Sequence, residues 1–168
     1  VRNGDELLLV SKKAMSLRFT TDDESLRPMG RSTSGVIGMK FRDGDELLTM
    51  ARVDSQSSQG AFVFTATDGG YGKKTPIEEY RLQGRGGIGI KAAKIDEDSR
   101  GTLVSALVLV DTDEILAITS AGTVMRTQAS EIRQTGRDSM GVRLVNLDEG
   151  ATLLTVTRSR EDEISEEK

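Results

Sequence analysis

Arg81-Leu82-Gln83-Gly84-Arg85-Gly86-Gly87-Ile88-Gly89-Ile90 is the most glycine-dense run in the chain, and it carries two arginines. Glycine permits positive φ and a close approach of backbone to a ligand or a neighbouring strand. Arginine beside exposed backbone N–H groups suits phosphate oxygens. Alone, such a run describes any tight turn. Its weight comes from two weaker copies: Arg27-Pro28-Met29-Gly30-Arg31 followed by Gly35-Val36, and Arg133-Gln134-Thr135-Gly136-Arg137 followed by Gly141-Val142. All share R-x-x-G-R, with the second arginines at 31, 85 and 137.

Two further features keep step with this motif. Upstream of each copy lies an apolar run, a short turn and a second strand ending in a base. Leu8–Ser11 leads to Leu17-Arg18, Phe62–Thr67 leads through Asp68-Gly69-Gly70 to Lys73-Lys74, and Glu114–Thr119 leads through Ser120-Ala121-Gly122 to Met125-Arg126. Downstream of each copy comes a leucine-led strand, at Leu47–Met50, Leu103–Ala106 and Leu153–Val156. Three features recurring in one order define an internal repeat of about fifty residues.

Residues of this kind are β-formers, and no segment sustains a 3.6-residue apolar period. Thr75–Tyr80, beginning Thr-Pro-Ile-Glu-Glu, predicts one turn of helix with Pro76 at its first position. The fold class is therefore all-β. Repeats of this length with four strands each predict propeller-like blades, over about 4–56, 57–111 and 112–158. Three four-stranded antiparallel blades do not close a ring of the usual 4–8, so they read as part of a larger disc.

With no cysteine and no histidine, the 168-residue chain has no disulfide, no thiolate and no Ser-His or Cys-His pair. The familiar zinc ligand sets are likewise missing, and no metal site is expected. Asp43-Gly44-Asp45 reads as a turn rather than a calcium loop. No apolar run reaches membrane-spanning length, and no membrane association is expected. The formal charge is −4, but Ser159–Lys168 alone holds five acids and two bases. The body is nearly neutral, with 21 bases against 22 acids, and the acidic tail 159–168 reads as disordered. A polyanion would need its cations gathered on one face.

Gln83-Gly84-Arg85-Gly86-Gly87-Ile88-Gly89 is similar to the glycine-arginine box, Q-[RK]-R-G-G-[KR]-G, of the C-terminal domain of bacterial DNA gyrase A subunits. The hairpin phrases Ile118–Arg126 and Thr67–Lys74 resemble that family's blade opening, and the likeness runs over residues 4–158. The resemblance implies a β-pinwheel whose rim binds and wraps duplex DNA without reading sequence. It implies a part of an ATP-dependent, negatively supercoiling holoenzyme, built with gyrase B and a second A subunit in the bacterial cytoplasm at the nucleoid. Catalysis, ATP and Mg²⁺ then belong to other domains, and this chain is no enzyme by itself and takes no cofactor. Gly84 and Ile88 stand where the box is usually basic, marking a degenerate copy from the later blades. Related alternatives are the equivalent domain of topoisomerase IV and a propeller-type protein-interaction platform.

On this reading the DNA-binding candidates are the motif arginines Arg31, Arg85 and Arg137, the strand-end bases Arg18, Lys74 and Arg126, and Lys73 and Arg81. Gln83, Gly84, Gly86, Gly87 and Gly89 complete the set. A rim that repeats with every blade can follow a phosphate backbone. Each group has a structural alternative. The motif arginines can brace turns, strand-end bases can protect sheet edges, and Arg27, Arg81 and Arg133 can pair with Asp23, Glu79 or Glu131. Gly86-Gly87 can form a phosphate nest or ease a crossover between blades.

Overall fold

The computed structural model describes residues 1–54 and 59–159, and these are almost wholly β. The first repeat supplies β1 (Glu6–Ser11), β2 (Met15–Thr20) and β3 (Leu47–Val53). The second supplies β4 (Phe62–Thr67), β5 (Tyr71–Pro76), β6 (Ile90–Lys91) and β7 (Leu103–Leu109). The third supplies β8 (Glu114–Thr119), β9 (Val124–Gln128), β10 (Val142–Arg143) and β11 (Leu153–Ser159).

Successive residues of a strand point to opposite faces, and here both faces are covered. Strand β1 sends Leu8 and Val10 into a core shared with Val63, Tyr80 and Leu103, and Leu7 and Leu9 into another with Leu17 and Phe19. Strand β4 likewise sends Val63 one way and Phe64 and Ala66 the other, against Ile115 and Leu153. Burial on both sides explains why these strands read as continuous apolar runs rather than alternating ones.

The sheets are antiparallel, ordered β3-β1-β2-β6, β7-β4-β5-β10 and β11-β8-β9. The outer strand of each of the first two sheets comes from the following repeat. Ile90 and Lys91 pair with Ser16 and Met15, and Val142 and Arg143 pair with Gly72 and Tyr71. Sequence repeats and sheets are thus partitioned differently: the glycine-arginine segment of each unit crosses to its predecessor. Gly89 permits the crossing, since its φ is 82° and a Cβ there would fall on the Ser16 carbonyl. Among the described residues the third sheet has three strands rather than four.

Strand β7 packs beside both β3 and β11, and residues of the three line an inner groove of about 740 Å³. The helical turn expected over Thr75–Tyr80 is shorter: β5 runs to Pro76, and a 3₁₀ turn occupies Ile77–Glu79. Its counterpart in the third unit is the 3₁₀ turn Ala129–Glu131. One turn of α-helix, α1 (Glu97–Arg100), precedes β7 in the second unit. Ser159 ends β11 instead of opening the tail, and the rest of 159–168 lies outside the described residues.

Candidate nucleic-acid interface

Arg18, Lys74 and Arg126 occupy one register position, opposite Leu8, Phe64 and Leu116. Their surroundings differ from the solvent-facing strand ends expected. Arg18 is buried: Nη1 donates to Ile77 O at 2.8 Å and Tyr80 O at 3.1 Å, and Nε donates to Glu6 Oε2 at 2.5 Å. Lys74 is buried too, donating to Ala129 O at 2.8 Å and to Asp111, with its ammonium 4.7 Å from the Phe62 ring centroid. Both cations reach the next unit's 3₁₀ turn at its first carbonyl, Ile77 O or Ala129 O, which also accepts the turn's own backbone bond from Tyr80 N or Ile132 N. Arg126 is the exposed member of the row, paired with Glu114 at 3.1 Å.

Lys73 also points inward. It is 1% exposed and donates to Gly136 O at 3.0 Å and to Arg137 O. Burial lowers its pKa to about 8, against opposing attraction from Glu79 and Asp138. Burial likewise raises the Tyr80 hydroxyl, which donates to Ala92 O at 3.1 Å.

The motif arginines brace turns with part of their guanidinium. Arg85 Nε donates to Ser25 O at 2.6 Å and Nη1 to Ile37 O at 2.9 Å. Arg137 Nη1 donates to Lys91 O at 2.6 Å, the repeat-equivalent contact, since Ile37 and Lys91 each stand six residues after a motif arginine. Both arginines stay half-exposed, whereas Arg31 and Arg81 are exposed without an ion pair or hydrogen bond from the side chain among the described residues.

The box itself laces two units together. Gln83 N donates to Arg18 O, Gly86 N to Gly38 O, and Lys40 N to Gly87 O, each at 2.8 Å. The Gly86 N–H is therefore engaged by a neighbouring segment, as the crossover alternative requires. Gly86, at φ 80°, lies in the left-handed region and Gly87 lies outside it. Gly84 is exposed with open space where a side chain would project. The Gln83 Nε2 amide is buried without a partner.

What faces solvent is a second set of cations. Arg27, Lys40 and Arg42 of the first unit are exposed, as are Lys91 and Lys94 of the second and Arg133 of the third, and their side chains form no ion pair among the described residues. Arg42, Lys94 and Arg143 escape the motif reading; the signal that finds Arg143 is its register with Lys91 on the borrowed outer strands. Arg143 and Arg100 both lie over the Tyr71 ring, at 5.0 and 4.6 Å from its centroid. Among the described residues no cluster of acids could hold a metal, and no helix is long and apolar enough to cross a membrane.

Repeated antiparallel sheets that hand an outer strand to their predecessor, with glycine-arginine turns lacing the junctions, define a pinwheel-type propeller. The chain belongs to the DNA gyrase C-terminal domain, beta-propeller family, whose model matches residues 5–54, 61–109 and 113–160, one stretch per repeat. It is 60% identical to the DNA gyrase A subunit of Streptomyces coelicolor over 157 residues, covering 94% of this chain and 18% of that protein. It is 50% identical to the same subunit of Mycobacterium tuberculosis over 159 residues, covering 95% and 18%. The fold is similar to a solved DNA gyrase A C-terminal domain, with a TM-score of 0.82 at 26% identity, over 94% of this chain and 52% of that one. A topoisomerase IV C-terminal domain matches with a TM-score of 0.82 at 22% identity, over 93% and 47%, a likeness of fold. The chain thus spans under a fifth of the length of these curated relatives.

Proposed function

We propose that this chain binds duplex DNA along its outer turns, without reading base sequence, and contributes to wrapping DNA in a gyrase holoenzyme. The observation that carries the reading is the recurrence of exposed cations without an ion pair among the described residues on the glycine-arginine turns of successive units, Arg27 and Arg31, Arg81, and Arg133. Phosphate contacts need periodic positive charge rather than one pocket. No recognition helix is present among the described residues to enter a major groove, and aromatics are too few to stack on single strands.

In this reading the chain has no chemistry of its own. Strand passage, ATP and Mg²⁺ belong to other parts of an assembly with gyrase B and a second copy of the A protein, and wrapping biases the outcome towards negative supercoils in the bacterial cytoplasm. Fluorescence anisotropy of a labelled duplex of about three helical turns, titrated from low to physiological salt, tests the binding. Neutralising about four phosphates gives a log–log salt slope of about −3.6, equal for unrelated sequences. Binding that ignores salt, or one preferred sequence, overturns the proposal; salt-independent capture of protein would favour an interaction platform.

A further inference from the structure

The two junctions between units are laced alike, yet their outer surfaces differ in charge. At the first, a concavity of about 430 Å³ opens beside the outer strand β6. Lys13 and Arg42 line it from one unit and Lys91 and Lys94 from the next, with Met15 beside them and Glu97 the one acid in its lining. The pairings Met15↔Lys91 and Tyr71↔Arg143 fix the equivalent positions at the second junction. Counting from them and from the motif arginines, Lys13, Arg42, Lys91 and Lys94 become Gly69, Asp96, Arg143 and Asn146. Four positive charges at the first junction therefore correspond to one positive and one negative at the second. Arg100 adds a cation beside Tyr71 there, but both arginines are engaged: Arg143 donates to the Tyr71 hydroxyl at 2.8 Å and Arg100 Nη1 to Gly141 O at 2.7 Å.

We infer that the first junction's concavity is the anchoring site for adjacent phosphodiester groups of one DNA strand, and that the second junction has no such anchor. This rests on the duplex-binding reading above and adds where the contacts concentrate. Arg42, Lys91 and Lys94 have no ion pair among the described residues, so their mutual repulsion is relieved by an outside anion. Lys13 Nζ donates to Asp43 O at 3.0 Å, which steadies the ammonium at the mouth and leaves two of its three donors. A concave, low-dielectric wall focuses the field of the four cations on whatever enters. None of these four side chains belongs to the glycine-arginine box, so the anchor is separate from the turn that laces the units.

The 168-residue chain, its Lys91→Ala/Lys94→Ala double variant, Arg143→Ala and Glu97→Gln are compared by duplex anisotropy across salt, with melting temperature measured on each sample. The double variant is expected to bind about tenfold more weakly at low salt, with a slope shallower by about 1.8, from roughly 0.9 per lost contact. Its melting temperature should hold, because both side chains are exposed. Arg143→Ala should leave the slope unchanged, and Glu97→Gln should tighten binding about threefold by removing the one acid in the lining. A double variant with the parent's affinity and slope, or an equal loss on Arg143→Ala, overturns the anchor while leaving duplex binding in place. A parent chain that binds no duplex at all overturns both readings.

Discussion

At the first junction Leu17 lies fully buried beneath the glycine-arginine box, close enough that a Cβ on Gly87 would meet its Cδ1 at 3.3 Å. At the second, Lys73 takes the same position on the strand and pins the next turn through the Gly136 and Arg137 carbonyls. The first junction encloses one cation, Arg18, and gathers four more on its outer concavity; the second encloses two, Lys73 and Lys74, and has only Arg143 at the equivalent outer positions. Buried ammonium groups carry a desolvation cost that a leucine does not. The backbone lacing tolerates either pin, so the repeat can move positive charge between its interior and its rim without changing the fold.

The largest expected effect compares the strand-end latches. Arg18→Met strands Glu6, whose side chain is 12% exposed, and takes the Arg18 donor from the Tyr80 carbonyl, while Ile77 O keeps its bond from Tyr80 N. Removing one partner of such a buried pair costs about 3–5 kcal/mol. Lys74→Met leaves Asp111, 57% exposed and able to hydrate, so its cost should be about 1–2 kcal/mol, chiefly the lost bond to Ala129 O. Urea unfolding of the two variants reads the difference. Equal losses, or the reverse order, would break the distinction between a latch closed by a buried carboxylate and one closed by an exposed carboxylate.

A smaller effect separates Lys73 from Leu17 by pH. The folded-state pKa of Lys73 is about 8, below its ordinary 10.5. Between these values the unfolded chain holds the proton and the folded chain does not, so stability rises with pH through that window. The full gain is about 3 kcal/mol. Near pH ~10 the Tyr80 hydroxyl opposes it, because burial keeps it neutral in the fold while it ionises in the unfolded chain. Urea midpoints should therefore climb from about pH 7.5 to about 9.5. Lys73→Met should remove the climb and raise stability at the lower pH; a climb that survives the substitution would assign it to another group.

Strand positions, the threefold repeat and the shared register of Arg18, Lys74 and Arg126 were legible because each leaves a pattern of its own: apolar runs, spaced glycines, a base at the end of each hairpin. The direction in which those bases point was not. On a strand buried on both faces, alternation no longer marks an inside and an outside, so Lys73 and Lys74, adjacent and opposed, are both buried. The exchange of outer strands was illegible for a related reason: Ile90-Lys91 and Val142-Arg143 are two residues long, too short to show a period. Lys94 and Arg42 sit in loops with no motif around them, and only the folded junction brings them together.

Arg85 offers the finest comparison, because its brace is double where that of Arg137 is single. Its two donors hold Ser25 and Ile37, the ends of a loop that also carries the exposed Arg27 and Arg31. Hydrogen bonds from a charged group contribute about 1.5–3 kcal/mol when enclosed, and half-exposure reduces this, so Arg85→Ala should lose about 1–2 kcal/mol of stability. Arg137→Ala, with one such bond, should lose less. On DNA the two roles separate in the salt slope. A brace that merely positions the loop weakens affinity while the number of neutralised phosphates stays the same; a direct phosphate contact makes the slope shallower by about 0.9. Arg85→Lys sharpens the test, since it restores the charge without the fork that reaches two carbonyls. Slope recovered with stability still lost would show both roles in one side chain. A slope indifferent to Arg85→Ala, alongside a lower melting temperature, would leave Arg85 wholly in the scaffold and the DNA contact with the exposed cations around it.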